Sequence, residues 1–260
     1  MYVGVSSTSL PALTKIVKGF REGELSILTG PTGSGKTTLL SQLSLDFAEQ
    51  GIPTLWGSFE IKNTILIKKM LQQFSKGPLP TSNLEELVKI ANDFEELPLH
   101  FLTFHGGSDI DEVLEAVHYA IHVYGVKHII LDNLQFMISR RNLQTPFDKF
   151  DVQDVAVEKF RQVATDMNVH VTLVVHPRKE AEGNRLGISS IFGSAKVTQE
   201  ADLILILQNE GSKKFLEVKK NRYDGTLGSC NLHFDPLSCR YVDDVSRLTS
   251  NSKNQSRPNF

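Results

Sequence analysis

The chain has few cysteines, no long apolar run and almost no net charge, and each of these absences excludes a class of protein. Its two cysteines, Cys230 and Cys239, are too few for a disulfide framework or a zinc ribbon, so we interpret them as unpaired thiols. No apolar run approaches the roughly 18 residues that a membrane-spanning helix needs, and we expect no membrane span. The formal net charge of -2 excludes a globally basic coat for nucleic acid, but not a few Lys and Arg focused into a groove or channel.

The first residues also lack the apolar segment of a secretory signal and the Arg-rich, acid-poor stretch of a transit peptide, so we expect no targeting segment in this chain. What the chain does have is an ordinary composition for one domain with a substantial core. Of its 260 residues, 40% are hydrophobic and 22% are charged. We divide it into a lead-in or linker remnant at 1–12, one folded domain at 13–245, and a Ser/Asn/Lys-rich tail at 246–260 that we expect to be disordered.

Short apolar segments alternate with segments of helical periodicity, which predicts an α/β fold with a mostly parallel, doubly wound sheet. The predicted strands are 25–29, 54–58, 99–103, 127–131, 170–175 and 203–207, and the predicted helices are 36–49, 62–73, 84–94, 109–123, 152–166 and 194–200. Ser108 is predicted to cap the helix that starts at 109. Further on, 214–220 and 231–234 have the pattern of alternating strands, which predicts antiparallel strands added at one edge near the C-terminus.

A glycine-rich stretch follows the first predicted strand and precedes the first predicted helix. It is Gly30-Pro31-Thr32-Gly33-Ser34-Gly35-Lys36-Thr37, which matches the pattern G-x-x-x-x-G-K-[ST]. In this pattern the glycines let backbone N–H groups curl around phosphates, the lysine reaches the β- and γ-phosphates, and the hydroxyl holds Mg²⁺. We predict an ATP site in which Lys36 binds phosphate, Thr37 is a magnesium ligand and Thr38 is a further binding residue. The alternative is a glycine-rich turn with an incidental lysine.

Three polar residues at the ends of other predicted strands complete this site in our interpretation. Asp132 closes an apolar strand, the Walker-B arrangement of a carboxylate that holds Mg²⁺, partly through water. Glu60 is predicted as the base that orients the attacking water, because we expect its strand to lie next to the phosphate loop. His176 is predicted as a sensor of the γ-phosphate. The plainer alternatives are a turn former at Asp132, a helix N-terminal charge at Glu60 and a polar strand cap at His176.

Longer stretches of the sequence resemble one family. In the family's order, they are GPTGSGKTT, TLWGSFEI, ELPLHFLTFHG, HIILDNLQFM, HVTLVVHPRKE, SIFGSAKVTQEAD and KKNRYDGTLG. Together they resemble the C-terminal helicase domain of Twinkle-like mitochondrial replicative DNA helicases, which are related to the ring-shaped phage and DnaB-type helicases. The resemblance covers roughly 13–234. It implies a RecA-like P-loop NTPase fold, ATP and Mg²⁺ as ligands, and a location in the mitochondrial matrix or nucleoid.

The resemblance also implies a role for each matching residue. Glu60, Asp132 and His176 match the family's catalytic glutamate, Walker-B aspartate and strand-end sensor. A further match is Gln199, which would sense nucleotide from the helix that precedes the strand 203–207. The last two are Lys220 and Arg222, a pair that a neighbouring subunit inserts into the ATP site, with Arg222 as an arginine finger. From the residues alone, this pair would be two cations on an exposed edge strand.

Contacts to single-stranded DNA are expected from loops that project into the ring. The predicted DNA-binding residues are Arg178, Lys179, Arg185 and Lys196, with Arg140 and Arg141 as weaker candidates. Such cations would hold phosphates without base readout, so the binding would depend on salt and tolerate any sequence.

We therefore interpret the chain as the motor domain of an ATP-dependent replicative DNA helicase. It is expected to form a hexameric or heptameric ring and to move 5′ to 3′ on single-stranded DNA. One alternative is a RecA-like recombination or strand-exchange ATPase, which forms filaments; the loop after His176 and the Lys220–Arg222 pair disfavour it. The other is an assembly module that binds ATP without autonomous unwinding. The joint presence of Glu60, Asp132 and Arg222 disfavours that module.

Overall fold

The computed structural model of the chain describes residues 4–104, 106–138, 146–178, 185–193 and 195–246. Three of the predicted DNA-contacting cations, Lys179, Arg140 and Arg141, lie outside these ranges, as does the predicted tail beyond 246. Among the helices within the ranges, none combines the length and the apolar character that a membrane crossing requires.

Helices and strands alternate through most of the described chain. The strands are β1 (Leu25–Thr29), β2 (Thr54–Ser58), β3 (Leu99–Phe101), β4 (His128–Asp132), β5 (His170–Val174), β6 (Leu203–Glu210), β7 (Lys213–Asn221), β8 (Gly228–Asp235) and β9 (Arg240–Asp243). The helices are α1 (Pro11–Val17), α2 (Lys36–Glu49), α3 (Asn63–Phe74), α4 (Leu84–Glu95), α5 (Ile110–Tyr124), α6 (Leu134–Met137), α7 (Pro146–Asp166) and α8 (Ala195–Glu200).

The described strands form one nine-stranded sheet in the order β3-β2-β4-β5-β1-β6-β7-β8-β9. The pairs from β3 to β6 are parallel, and those from β6 to β9 are antiparallel. Strands β1, β4 and β5 are buried along their whole length, which explains why their sequences are continuous apolar runs rather than alternating ones. The predicted fold class, a parallel doubly wound sheet with antiparallel strands at one edge, is confirmed.

Each face of the sheet carries its own hydrophobic layer, because successive side chains of a strand point to opposite faces. On one face, α5 and α7 pack against residues that include Ile27 and Leu173. On the other face, α1, α2 and α3 pack against Leu28 and Val174. Strand β1 is therefore covered by a hydrophobic layer on each face of the sheet.

Several elements differ from the predicted ones. The side chain of Asp109, not Ser108, caps α5 by accepting a hydrogen bond from the Asp111 N–H at 2.8 Å. Helix α7 begins at Pro146 rather than at 152. Helix α1 and strand β9 were not predicted. Strand β9 has only four residues, too few to show a period in the sequence.

The predicted lead-in packs against the domain. Leu10 is fully buried, and Val5 pairs with Phe20 through an isolated antiparallel bridge. The hydroxyls of Ser7 and Ser9 both donate to a carboxylate oxygen of Asp46 at 2.6 Å. This segment is therefore anchored to α2, the helix that follows the glycine-rich loop.

The C-terminal ends of the parallel strands meet at one edge of the sheet, where the glycine-rich loop follows β1. The expectation that Glu60 follows the strand next to β1 was wrong, because β4 and β5 lie between β2 and β1. Strand order in a doubly wound sheet depends on how the helical crossovers are placed, so neighbours in sequence need not be neighbours in space. Asp132 on β4 and His176 after β5 lie between Glu60 and the loop.

Candidate nucleotide-binding site

The loop from Gly30 to Gly35 joins the end of β1 to the start of α2, as the motif predicts. Gly35 has φ +100° and stands at the N-cap of α2, where no side chain caps the helix. A helix start without a side-chain cap leaves backbone N–H groups for an anion. A Cβ at Gly30 would lie 2.7 Å from the Leu207 carbonyl oxygen on β6, so the loop can approach the sheet this closely only with glycine.

These elements enclose a cavity of about 280 Å³ at the C-terminal edge of the sheet. It is lined by Thr32, Gly33, Gly35, Lys36, Thr37, Thr38, Glu60, Lys69, Asp132 and His176. The structure thus brings the phosphate loop, the Walker-B carboxylate, the predicted base and the predicted sensor together around one space. Apart from Lys69, every residue of this lining was predicted from the sequence.

Lys36 is buried against the loop that it follows. Its Nζ donates to the carbonyl oxygens of Gly30 at 2.9 Å and Pro31 at 3.0 Å. Burial lowers the pKa of Lys36, while the carboxylates of Asp132 and Glu60 oppose that shift. The lysine is thereby held at the mouth of the loop, among the backbone groups that the motif uses to bind phosphate.

Thr37 and Asp132 lie side by side in the cavity lining. The Thr37 hydroxyl donates to Asp132 Oδ2 at 2.5 Å, and Asp132 is 2% exposed. Burial raises the pKa of Asp132 to about 6, although the hydrogen bond from Thr37 lowers it. A hydroxyl beside a carboxylate is the kind of oxygen donor set that Mg²⁺ takes, so these two residues fit the metal that the motif implies.

Asn133 joins the predicted base to the predicted sensor. Its Nδ2 donates to Glu60 Oε2 at 2.5 Å and lies 2.7 Å from His176 Nε2, which accepts from it. Its Oδ1 accepts from the Phe136 N–H at 3.0 Å and so caps α6. Asn133 is fully buried. Sequence reasoning missed it, although its place directly after Asp132 was a usable signal.

His176 and Glu60 therefore lie close together in the cavity lining, with 3.6 Å between His176 Nε2 and Glu60 Oε2. Burial is the main cause that lowers the pKa of His176, followed by the positive charge of Lys36. The His176 N–H donates to Gln135 Oε1 at 3.1 Å. A change at the cavity that moves the neutral His176 imidazole would also move the residues that follow β5.

Lys69 is a second lysine that sequence reasoning missed. It reaches the cavity from α3, and its Nζ donates to Thr38 Oγ1 at 3.1 Å. No motif marks it, because it is one of several lysines on a helix whose packing is decided by tertiary structure. Two lysines therefore line the cavity, Lys36 from the start of α2 and Lys69 from α3.

Gln199, Lys220 and Arg222 also lie together, but not at this cavity. Lys220 Nζ donates to the carbonyl oxygens of Thr198 at 2.7 Å and Gln199 at 3.1 Å. Arg222 donates to the Gln199 carbonyl oxygen at 2.6 Å and to Asp202 Oδ1 at 2.9 Å. Both cations therefore sit at the C-terminal end of α8, whose free carbonyls favour positive charge. Burial, and then the charge of Arg222, lower the pKa of Lys220.

Asp202 shows where this cluster lies relative to the phosphate loop. Its Oδ2 accepts from the Leu25 N–H at 2.9 Å, at the start of β1, whereas the loop follows Thr29 at the other end of β1. The two ends of a five-residue strand are about 13 Å apart at 3.3 Å per residue. Within one chain, Arg222 therefore lies near the N-terminal ends of the parallel strands, whereas the cavity lies at their C-terminal ends.

The predicted DNA-contacting cations that the structure describes have protein partners. Arg185 donates to Glu217 Oε1 at 2.8 Å, and Lys196 to Glu158 Oε2 at 2.6 Å. Arg178 is exposed and donates to the Gly193 carbonyl oxygen at 2.7 Å. Contact with DNA stays a prediction for all three.

A family model of AAA domains, AAA_25, matches residues 3–182. Since this is more than half of the chain, the protein belongs to that family, and its fold and phosphate loop agree with the membership. The match ends before β6, so the antiparallel strands lie outside it.

Individual relatives with similar sequences include replicative helicases and a DNA repair protein. The chain is 24% identical over 253 residues to the replicative DNA helicase DnaB of Treponema pallidum, covering 92% of this chain and 56% of that protein. With DnaB of Mycoplasma genitalium it is 22% identical over 270 residues, covering 94% of this chain and 57% of that one. It is also 24% identical over 213 residues to the DNA repair protein RadA of Campylobacter jejuni, covering 80% of this chain and 39% of RadA.

Solved structures show the same fold. One of them, described as an ATPase domain, superimposes with a TM-score of 0.77 at 14% identity, covering 92% of this chain and 91% of that one. A DnaB-like replicative helicase, described with its interactions with primase, gives a TM-score of 0.79 at 14% identity, covering 92% of this chain and 62% of that one. The chain thus shares its fold with a DnaB-like replicative helicase, and it spans a little over half the length of the two DnaB relatives named above.

Proposed function

We propose that this chain is the ATP-hydrolysing motor domain of a replicative DNA helicase, and that it works in a closed ring of identical subunits on single-stranded DNA. Its AAA-domain family membership, its similarity to DnaB proteins and the composition of its cavity support this proposal. The observation that carries it is the position of Arg222, which points away from its own cavity toward Asp202. A hydrolysis site that lacks its own arginine finger is completed when a neighbour supplies one.

The residues of the chain divide the work of hydrolysis. Lys36 and the backbone N–H groups of the loop bind the phosphates of ATP. Thr37 and Asp132 would hold Mg²⁺, which when bound neutralises negative charge on the phosphates. Glu60 accepts a proton from the attacking water, and the Asn133 amide fixes the orientation of that carboxylate.

In the proposed ring, the Lys220–Arg222 pair acts at the ATP site of the neighbouring subunit. Arg222 of one subunit would lie against the phosphates bound by the next subunit, with Lys220 beside it, and offset the charge that develops on the transferred phosphoryl group. Gln199, whose carbonyl oxygen accepts from both cations, would link their position to α8.

Two finer parts of the proposal rest on resemblance. Movement in the 5′ to 3′ direction is tested by unwinding of forked substrates that carry a single 5′ or 3′ tail; unwinding that needs the 3′ tail contradicts it. A location in the mitochondrial matrix or nucleoid is tested by fractionation of cells of the source organism, and recovery of the protein outside mitochondria contradicts it.

ATP hydrolysis stimulated by single-stranded DNA is the direct test of the motor function. Lys36→Ala should abolish it, because the lysine is the side chain that the motif places on the β- and γ-phosphates. Lys62→Ala is the matched control, since Lys62 is an exposed lysine at the N-cap of α3. Unchanged turnover in Lys36→Ala would overturn the assignment of the cavity.

The similarity to RadA supports a second candidate, a recombination or repair ATPase. The two candidates differ in assembly, because the first predicts closed rings and the second open filaments. Electron microscopy with a non-hydrolysable ATP analogue and single-stranded DNA separates them. Filaments in place of rings would favour the second candidate.

A further inference from the structure

Two residues outside the motif, Tyr241 and Lys214, form hydrogen bonds with the phosphate loop. The Tyr241 hydroxyl, from β9, donates to the Ser34 carbonyl oxygen at 3.1 Å. Lys214 Nζ, from β7, donates to the same oxygen at 2.5 Å and lies 3.1 Å from the Tyr241 hydroxyl. One carbonyl near the end of the loop therefore receives two side-chain donors, both from the antiparallel strands near the C-terminus.

Tyr241, the donor from β9, is fixed by its surroundings. Tyr241 is 2% exposed, and burial raises its pKa to about 12, so its hydroxyl keeps its proton at neutral pH. A Cβ at Gly35 would lie 2.0 Å from the Tyr241 hydroxyl oxygen, which shows how closely the ring packs against the loop. Any side chain at Gly35 would displace Tyr241, so the glycine of the motif and the tyrosine of β9 fit each other.

The geometry of a peptide unit gives these contacts a consequence for binding. The C=O and N–H of a trans peptide lie in one plane and point in opposite directions. Lys214 and Tyr241 hold the Ser34 carbonyl outward, which turns the Gly35 N–H of the same peptide away from them. Gly35 is also part of the cavity lining, so an N–H that is turned away from Lys214 and Tyr241 is placed to meet a phosphate bound in the cavity.

We infer that Lys214 and Tyr241 are positioning residues that orient the Ser34–Gly35 peptide, so that the Gly35 N–H meets the phosphate chain of a nucleoside di- or triphosphate. The inference rests on the proposed function and deepens it by making the C-terminal antiparallel strands part of the nucleotide site. In this inference, β9 serves to place Tyr241 against the phosphate loop.

Titration of the whole chain with MgADP tests this inference. Tyr241→Phe removes only the hydroxyl, and Lys214→Met removes the ammonium group but keeps most of the stem. Lys213→Met is the matched control, because Lys213 is the preceding residue of β7 and is exposed. The melting temperature of each nucleotide-free variant is measured alongside, since a merely structural role would lower it.

Each of the two variants should bind MgADP about fivefold more weakly than the wild type, the effect of losing one hydrogen bond that orients a binding group. Their melting temperatures without nucleotide should stay close to that of the wild type. The double variant should lose less than the product of the two single effects, since both side chains act on one carbonyl. Lys214→Arg, which keeps a donor, should bind more tightly than Lys214→Met.

Wild-type affinity in both Tyr241→Phe and Lys214→Met would overturn the inference, and so would an equal loss in Lys213→Met. If Lys214→Met does not fold, Tyr241→Phe and Lys214→Arg decide the question alone. A wild-type protein that binds no MgADP would instead contradict the proposed function. Binding by the wild type and the control, with no loss in the variants, would contradict only this inference.

Discussion

Asn133 is a residue of the site that was not predicted from the sequence, and it contacts both Glu60 and His176. Its amide group donates to Glu60 and His176, while its amide oxygen caps α6. An amide suits this position because it offers two N–H donors and an acceptor, whereas an ionised carboxylate offers acceptors only. The predicted base and the predicted sensor are thus both hydrogen-bonded to the residue that directly follows Asp132.

Asn133→Ala should reduce ATP turnover at least tenfold, because Glu60 loses the donor that orients it. The affinity for MgADP should change little, since Asn133 is not in the cavity lining. Loss of the cap should lower the free energy of unfolding by about 1 kcal/mol. Asn83→Ala is the control, because Asn83 caps α4, an element outside the cavity lining. Equal turnover in the two variants would show that Asn133 is only a cap.

Lys69 offers a second test at this scale. Lys69→Met should weaken MgADP binding about threefold, because it removes a positive charge that faces the cavity and donates to Thr38. Lys68→Met changes an exposed lysine one position earlier on the same helix and should leave the affinity unchanged. Equal affinities of the two variants would exclude Lys69 from phosphate binding.

At the scale of elements, β4 and β5 bring two buried histidines side by side. His128 and His170 are paired in the register of the two strands, and their ring centroids are 4.9 Å apart. Burial lowers the pKa of His170 to about 4 and holds the pKa of His128 well below its usual value. His170 is hydrogen-bonded to Ser26 and to the Arg21 carbonyl oxygen, so the neutral ring is satisfied in the folded state.

These histidines should make the fold sensitive to acid. Between pH 6.5 and 4 the unfolded chain binds protons on them that the folded chain does not, so the free energy of unfolding falls as the pH falls. Asp132, with its pKa raised to about 6, acts in the opposite direction, which is why a comparison of variants is needed.

Urea unfolding of the wild type and of His170→Gln at several pH values from about 7 to about 5 makes that comparison. The dependence on pH should be shallower in His170→Gln by up to about one proton, because one of the two buried histidines is removed. The exposed His122 of α5 supplies a control variant without a buried ring, His122→Gln. Parallel curves for His170→Gln and the wild type would contradict the account.

The elements differ in how far the sequence predicts them. The strands β1, β4 and β6 were predicted because buried parallel strands are continuous apolar runs bounded by turn residues. Strand β9 was missed because four residues show no period. The order of strands was also out of reach, which is why Glu60 was expected beside β1 although β4 and β5 intervene.

On the scale of the whole molecule, the sheet separates two sets of functional groups. The cavity groups meet at the C-terminal ends of the parallel strands, while Arg222 and Lys220 lie beside Asp202 at the other end of β1. The phosphate loop, Glu60, Asp132 and His176 were predicted from the motif and the strand ends, and Lys220 and Arg222 from the resemblance, whereas Lys69 was missed. Their separation follows from the topology, which no local pattern contains.

Ion pairs between residues that are far apart in the chain could not be predicted from the sequence either. Arg185 and Lys196 were predicted to contact DNA, yet each forms an ion pair with a carboxylate from another element, Glu217 and Glu158. Such pairs form only when the fold brings residues far apart in the chain together.

The central claim, that each site is completed by a neighbour, is tested most directly by ATP turnover in mixtures of two inactive variants. Arg222→Ala lacks the finger and Glu60→Gln lacks the base, and each alone should be inactive. In mixed rings, the intact cavity of an Arg222→Ala subunit meets Arg222 of a Glu60→Gln subunit, so part of the activity should return. Lys219→Ala, a change on the same strand, should stay active alone. No return of activity in demonstrated mixed oligomers would contradict the account.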